Sequence, residues 1–240
     1  MATLHRLSKT WLVSSLKDLF SLFFPNFCLG CKDGLVKGEE ILCTRCLSEL
    51  PKVDYYNLKD NPLVNRFVGR VPVQYGWSLL KFQKTGIVQN LLHELKYNNH
   101  PEIGVRLGKI LGLRLTELGL KDELDFLVPV PLHKNRMWVR GYNQSAMISK
   151  GLSDVFDKPF SDEVMIRTSS TQTQTKKSKI ERWENVNSAF KVVKEDAING
   201  KRVLLVDDVV TTGATTEACA RSLLHAGASS VSIACLAEVS

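Results

Sequence analysis

No stretch of the 240 residues approaches the ~18 consecutive apolar residues that a membrane span requires. The chain also lacks a GxxxxGK[ST] loop and a GxGxxG fingerprint, so neither P-loop nucleotide hydrolysis nor dinucleotide binding has support in it. Internal repeats are absent, and the one biased tract is the Thr/Gln/Lys stretch Thr171–Lys179. With 15 glycines and 8 prolines it is neither collagen-like nor dominated by linkers. A core of this size needs no disulfides. What remains is an ordinary globular composition, 44% hydrophobic and 24% charged, carrying a net charge of +7. That surplus implies an anionic partner: nucleic acid, a membrane surface or a phosphorylated metabolite.

The surplus is uneven. Residues 1–52 and 53–131 each carry +2, residues 132–182 carry +5, and residues 183–240 carry −2. At the N-terminus, Leu12, Leu16, Leu19, Phe20 and Phe23 recur at helical spacing within Trp11–Phe24, which Lys17 and Asp18 interrupt. This predicts an amphipathic packing helix rather than membrane attachment, because its polar face lacks the Lys/Arg richness of surface-binding helices. No signal-peptide cleavage site follows, and the expected location is cytoplasmic.

Four of the six cysteines form two CxxC pairs, Cys28/Cys31 and Cys43/Cys46, separated by a short loop. This spacing suits tetrahedral Zn²⁺ held by four thiolates, a structural ribbon with no open coordination position. The segment is too short for its own apolar core, so the metal would supply its folding energy. Gly30 and Gly34 are expected to turn the chain there through positive φ. The expected organisation is a helix and zinc ribbon over 1–52, a linker with Pro62 and Pro72 over 53–76, and the main domain over 77–240. Cys219 and Cys235 read as small buried hydrophobes.

In that last part, strands and helices alternate. Strands are expected at Gln74–Leu80, Phe126–Val130, Glu163–Ile166, Ala189–Val193, Val203–Val206 and Ser230–Ala237, with helices over Ile87–Leu95, Ile103–Leu118, Ser145–Phe156 and Thr215–His225. The pattern argues for an α/β fold with a mainly parallel sheet and flanking helices. Ligands of such sheets bind at the carboxyl ends of the strands. After Val206 come Asp207-Asp208-Val-Val-Thr211-Thr212-Gly213-Ala214-Thr215. Amides at a helix start accept a phosphate, Gly213 allows close approach, and the carboxylates suit sugar hydroxyls. After Val130 comes a basic loop with His133, Lys134, Arg136, Arg140 and Asn143. After Ile166 comes a long glycine-free loop with Arg167, Gln174, Lys177 and Arg182, a candidate flap.

The run Val203–Thr215 resembles the binding loop for 5-phosphoribosyl-1-pyrophosphate (PRPP) in type I phosphoribosyltransferases. Together with Phe27-Cys28, the cysteine pairs, Leu95-Lys96-Tyr97, the Pro129–Gln144 block, and Arg167-Thr168…Gln174-Thr175…Arg182…Asn185…Ala189-Phe190, the order of motifs resembles the ComF family. That family consists of competence-associated, phosphoribosyltransferase-like proteins with an N-terminal zinc ribbon. The resemblance implies Mg²⁺ bound with PRPP, Asp207 and Asp208 on the ribose hydroxyls, and Thr211, Thr212, Gly213, Ala214 and Thr215 on the 5-phosphate. Lys96 would join the PRPP-binding set, and Arg136 and Arg140 would offset pyrophosphate charge. Arg167, Lys177 and Arg182 would act from the flap. It implies transfer of ribose 5-phosphate to an acceptor it does not name. Non-catalytic PRPP sensing, or an accessory role handling single-stranded DNA in competence beside a helicase partner, stand as alternatives.

Overall fold

A computed structural model describes residues 26–168 and 189–239. Their elements in chain order are α1 (Thr44–Glu49), α2 (Pro62–Asn65), β1 (Gly76–Lys81), α3 (Ile87–Tyr97), α4 (Pro101–Glu117), β2 (Phe126–Pro129), α5 (Lys134–Arg140), α6 (Gln144–Phe156), β3 (Met165–Arg167), β4 (Phe190–Val192), β5 (Arg202–Val210), α7 (Ala214–His225) and β6 (Ser230–Glu238). They divide into two compact units after Leu50. No helix among the described residues is long and apolar enough to cross a membrane. The amphipathic helix expected over Trp11–Phe24 lies outside the described residues.

In the second unit, β1, β6, β5 and β2 form a parallel four-stranded sheet in that order. The apolar run Val203–Val206 occupies its centre, pairing Val206 with Pro129 on one side and Ala234 on the other. A strand buried on both faces reads as a continuous apolar run, which is why this one was visible in the sequence. The fold is the expected α/β arrangement, a parallel sheet with flanking helices. β5 continues four residues past the expected stop at Val206, because β6 pairs with it as far as Val210↔Glu238. The acid pair therefore lies within the strand.

Three further differences have physical causes. The strands expected near 163–166 and 189–193 are present, but as a separate antiparallel pair, with Arg167 opposite Phe190. Residues 134–140, expected as a loop, form α5. His133 caps it by accepting the Asn135 N–H, and Gly141 ends it at φ 77°. This helix buries no residue, so it left no apolar periodicity. Residues 53–76, expected as a linker, pack into the unit: Leu63, Phe67 and Val71 join the core with Val128, Val203 and Leu205. Asn61 starts α2 by accepting from the Leu63 and Val64 N–H groups, and its amide donates to the Gly76 carbonyl at 2.9 Å.

α4 and α6 meet backbone to backbone. A Cβ on Gly108 would fall 2.3 Å from the Ile148 carbonyl oxygen, so only glycine permits this approach. The contact seats α6 beside the sheet, and Asn143 ties its first turn to the end of β2 by donating to the Val130 carbonyl at 3.0 Å. In the first unit, Phe27 and Gly34 form an antiparallel bridge ahead of α1. The positive φ expected at Gly30 and Gly34 falls instead on Lys32 (67°) and Gly38 (95°).

Candidate functional site

All four strands of the parallel sheet end at one edge, where Ser145, in the first turn of α6, reaches Asp207 of β5. Beyond Val210 the chain leaves the sheet, turns at Gly213 with φ 77°, and enters α7 at Ala214. Gly213 has no side chain to cap this helix; the Ala214 N–H makes a long bond to Thr212 Oγ1 at 3.4 Å, and the rest of the first turn can offer N–H groups to an anion. Thr211, Thr212, Ala214 and Thr215 are exposed, whereas Gly213 is buried against Phe67.

The two carboxylates differ. Asp207 is buried; its Oδ1 accepts from the Ser145 hydroxyl at 3.3 Å and from the Asp208 N–H at 2.8 Å. Burial, reinforced by the Asp208 charge, pushes its pKa up to about 7. Asp208 is paired with Lys96 at 2.7 Å. Lys96 thus reaches the acid pair from the last turn of α3, where the family resemblance, not its spacing, had pointed to it.

Arg136 and Arg140 project from α5. Arg140 stacks over Tyr97 with 5.2 Å to the ring centre and donates to Gln144 Oε1 at 2.8 Å. Lys96, Tyr97, Arg136, Trp138, Arg140 and Tyr142 line a groove of about 690 Å³. Trp138, 89% exposed, and Tyr97, 66% exposed, give it aromatic walls. Arg167 lies over Phe190 at 5.3 Å. Its burial and the nearby charge of Arg136 hold its guanidinium below the usual value. Lys177 and Arg182 lie outside the described residues.

Two functional candidates were missed by the sequence reading. Arg66 Nη1 donates to the Thr211 carbonyl, and Arg70 Nη1 donates to the Thr212 carbonyl at 3.0 Å. Both belong to the stretch expected as a linker. Their signal was available as the i, i+4 pair Arg66/Arg70 interleaved with the apolar series Leu63, Phe67, Val71.

In the first unit, the sulfurs of Cys28, Cys31, Cys43 and Cys46 lie within 4.8 Å of one another. The Cys31–Cys43 separation is 3.8 Å, close to the edge of a tetrahedron with Zn–S bonds of about 2.3 Å. N–H groups support the sulfurs: Cys43 donates to Cys28 Sγ at 3.3 Å and Cys46 to Cys43 Sγ at 3.4 Å. Burial raises the Cys28 thiol, but backbone N–H donors outweigh it and bring its pKa to about 6. Four soft, gathered sulfur donors fit zinc.

Residues 143–240 match the phosphoribosyl transferase domain. The DNA utilization protein YhgH of Escherichia coli is 38% identical over 152 residues, covering 61% of this chain and 65% of that protein, so the match spans just under two thirds of that relative. Competence protein ComFC of Bacillus subtilis is 39% identical over 112 residues, covering 46% of this chain and 43% of that one. Competence protein F of Haemophilus influenzae is 28% identical over 226 residues, covering 88% of this chain and 96% of that protein. Together these relatives and the domain match support assignment of the chain to the ComF family. The domain match begins at the cap of α6 and takes in β5, the acid pair and the loop into α7. Lys96, Arg136 and Arg140, and the two arginines before β1, precede it.

Proposed function

We propose that this chain binds PRPP at the β5–α7 edge and transfers its ribose 5-phosphate to an acceptor. The reading is carried by one observation: two adjacent carboxylates lie in the last four residues of a buried strand, which leads through Thr211 and Thr212 into a left-handed glycine and a helix start. Exposed Thr211, Thr212, Ala214 and Thr215 surround the 5-phosphate, with N–H groups and hydroxyls as donors. Asp207 and Asp208 accept from the ribose hydroxyls. Asp207 and Asp208 are hard oxygen donors beside the expected pyrophosphate, and Mg²⁺ arriving with PRPP would there offset pyrophosphate charge. Arg136, Arg140 and Lys96 add positive charge on the pyrophosphate side, and Arg167, Lys177 and Arg182 serve the flap.

In the transfer, the C1–O bond to pyrophosphate breaks and the electron pair leaves with pyrophosphate. The acceptor then forms its bond to C1, through an oxocarbenium-like state of the kind seen in glycoside cleavage. The side chains act by holding the ribose, stabilising the leaving group and excluding water.

The test is calorimetric titration with Mg-PRPP, joined to a pyrophosphate-release assay across nucleobases, amines and DNA. The double variant Asp207→Asn with Asp208→Asn is expected to lose PRPP binding and keep its zinc. Unchanged affinity in that variant overturns the assignment. Binding without pyrophosphate release favours PRPP sensing.

A second reading is supported by the groove, whose exposed Trp138 and Tyr97 stand beside Arg136 and Arg140 as stacking and phosphate-binding groups do on single strands. The names of the relatives, DNA utilization and competence proteins, agree with it. Single-stranded DNA bound there would lose affinity steeply with salt, and Trp138→Ala would weaken it.

A further inference from the structure

We infer that Arg66 and Arg70 are positioning residues that set the backbone of the Thr211–Thr215 loop for the 5-phosphate, an inference that rests on the PRPP reading of that loop. The turn that extends α2 meets three successive loop residues. Arg66 Nη1 donates to the carbonyl of Thr211. Arg70 Nη1 donates to the carbonyl of Thr212 at 3.0 Å. Between them, the Phe67 ring lies where a side chain on Gly213 would stand, 2.9 Å from its Cβ position.

The consequence follows from the geometry of the peptide unit. In a trans peptide, the carbonyl and the next N–H point in opposite directions. Holding the Thr211 and Thr212 carbonyls against the guanidiniums therefore turns the N–H groups of Thr212 and Gly213 the other way, toward the exposed side of the loop. A loop with free peptides would have to choose this orientation on binding, whereas here it is already set.

Both arginines are themselves fixed. Arg66 Nη2 also donates to the Val239 carbonyl, and Glu238 lies 3.8 Å from it. Arg70 Nε donates to Glu217 Oε2 at 2.8 Å, and its Nη1 also donates to the Arg66 carbonyl at 3.0 Å. Arg221 holds the other oxygen of Glu217 at 3.0 and 3.1 Å. The charges of Arg66 and Arg70 are thus matched by carboxylates within the protein. Their effect on a phosphate runs through the backbone they orient. Glu217 keeps Arg221 when Arg70 is replaced, so Arg70→Gln strands no buried carboxylate.

The experiment titrates ribose 5-phosphate and, separately, Mg-pyrophosphate into the full chain and its Arg66→Gln, Arg70→Gln and Arg70→Lys variants. Backbone amide order parameters of Thr212 and Gly213 are measured by NMR relaxation in the free proteins. Both glutamine variants are expected to bind ribose 5-phosphate about tenfold more weakly, with Mg-pyrophosphate affinity held within about twofold. The order parameters at Thr212 and Gly213 should fall in both, and Arg70→Lys should recover part of each effect. Equal weakening of the two ligands would show a general loss of structure and overturn the positioning role. Unchanged order parameters would overturn it as well. If the wild-type chain binds neither ligand, the PRPP reading falls. The relaxation measurement then still decides whether the arginines order the loop.

Discussion

Replacing Gly213 with alanine separates two costs that meet at one carbon. Gly213 has φ 77°, and a Cβ there would lie 2.9 Å from Phe67 Cε1 and 3.0 Å from Cζ. Left-handed backbone costs an L-residue about 1–2 kcal/mol. Gly200 has a similar backbone, φ 69°, but nothing within 4 Å of the added carbon, so Gly200→Ala carries this first cost alone. The second cost belongs to Phe67, which is 1% exposed and packed in the core. Its ring cannot swing into solvent, and forcing a methyl group against it costs a further ~1–3 kcal/mol. Urea unfolding of the two variants should therefore place Gly213→Ala about 2–5 kcal/mol below wild type, the sum of both costs. Phe67→Leu in the Gly213→Ala background should narrow the gap to Gly200→Ala, as contacting residues couple in a double-mutant cycle. Equal losses at the two glycines, with no coupling to Phe67, would refute the seating of the loop on that ring.

Zinc should be bound at one ion per chain, and its removal by a chelator should unfold the first unit while leaving the second unit's helical and sheet signals in place. Circular dichroism with metal analysis checks this, and a chelated protein with an unchanged first unit would contradict it. Asp207 predicts a pH dependence. Its pKa is raised in the folded chain from the ordinary 3.8 to about 7, so the unfolded chain releases this proton first as pH rises. The contribution of this group to stability is thus full below 3.8, falls through the window up to about 7 and is level above it. Asp207→Asn lacks that loss, so its stability relative to wild type should rise across the same window. A difference in urea midpoints that does not vary with pH would sink this account.

What was legible in the sequence was local. The run Val203–Thr215 carries its own strand, turn and helix start, and the two CxxC pairs carry their own chemistry. Features made by contacts across the chain were not. Asp207 and Asp208 looked like the end of a strand because charged residues seldom continue a buried one. The ladder with β6 carries β5 onward, with Asp207 opposite Cys235 and Val209 opposite Ala237. α5 gave no signal because a helix with no buried residue has no apolar period, and its limits come from His133 and Gly141. Lys96 and Asp208 are far apart in the chain, and no spacing rule joins them.

The stretch 53–76 shows which kind of signal should have prevailed. Its prolines and polar residues suggested a linker, since composition of that kind marks connections. Yet Leu63, Phe67 and Val71 recur every four residues, the period of a helical face, and all three are buried in the core. Arg66 and Arg70 follow the same spacing on an adjacent face, which places them together on the carbonyls of Thr211 and Thr212. A spacing that holds across three residues constrains geometry, whereas a count of prolines constrains only where a regular element can begin. Pro62 does begin one, at the first position of α2, where its missing N–H costs no hydrogen bond. The net charge is sharpened in the same way. Part of the +5 in residues 132–182 serves elsewhere, as Lys158 does beside Asp125. The cations that touch the acid pair and its loop include Lys96, Arg66 and Arg70, all from residues 53–131, whose net charge is only +2. Each acts at a specific atom, so the site's electrostatics depend on placement, which a segment's net charge does not report.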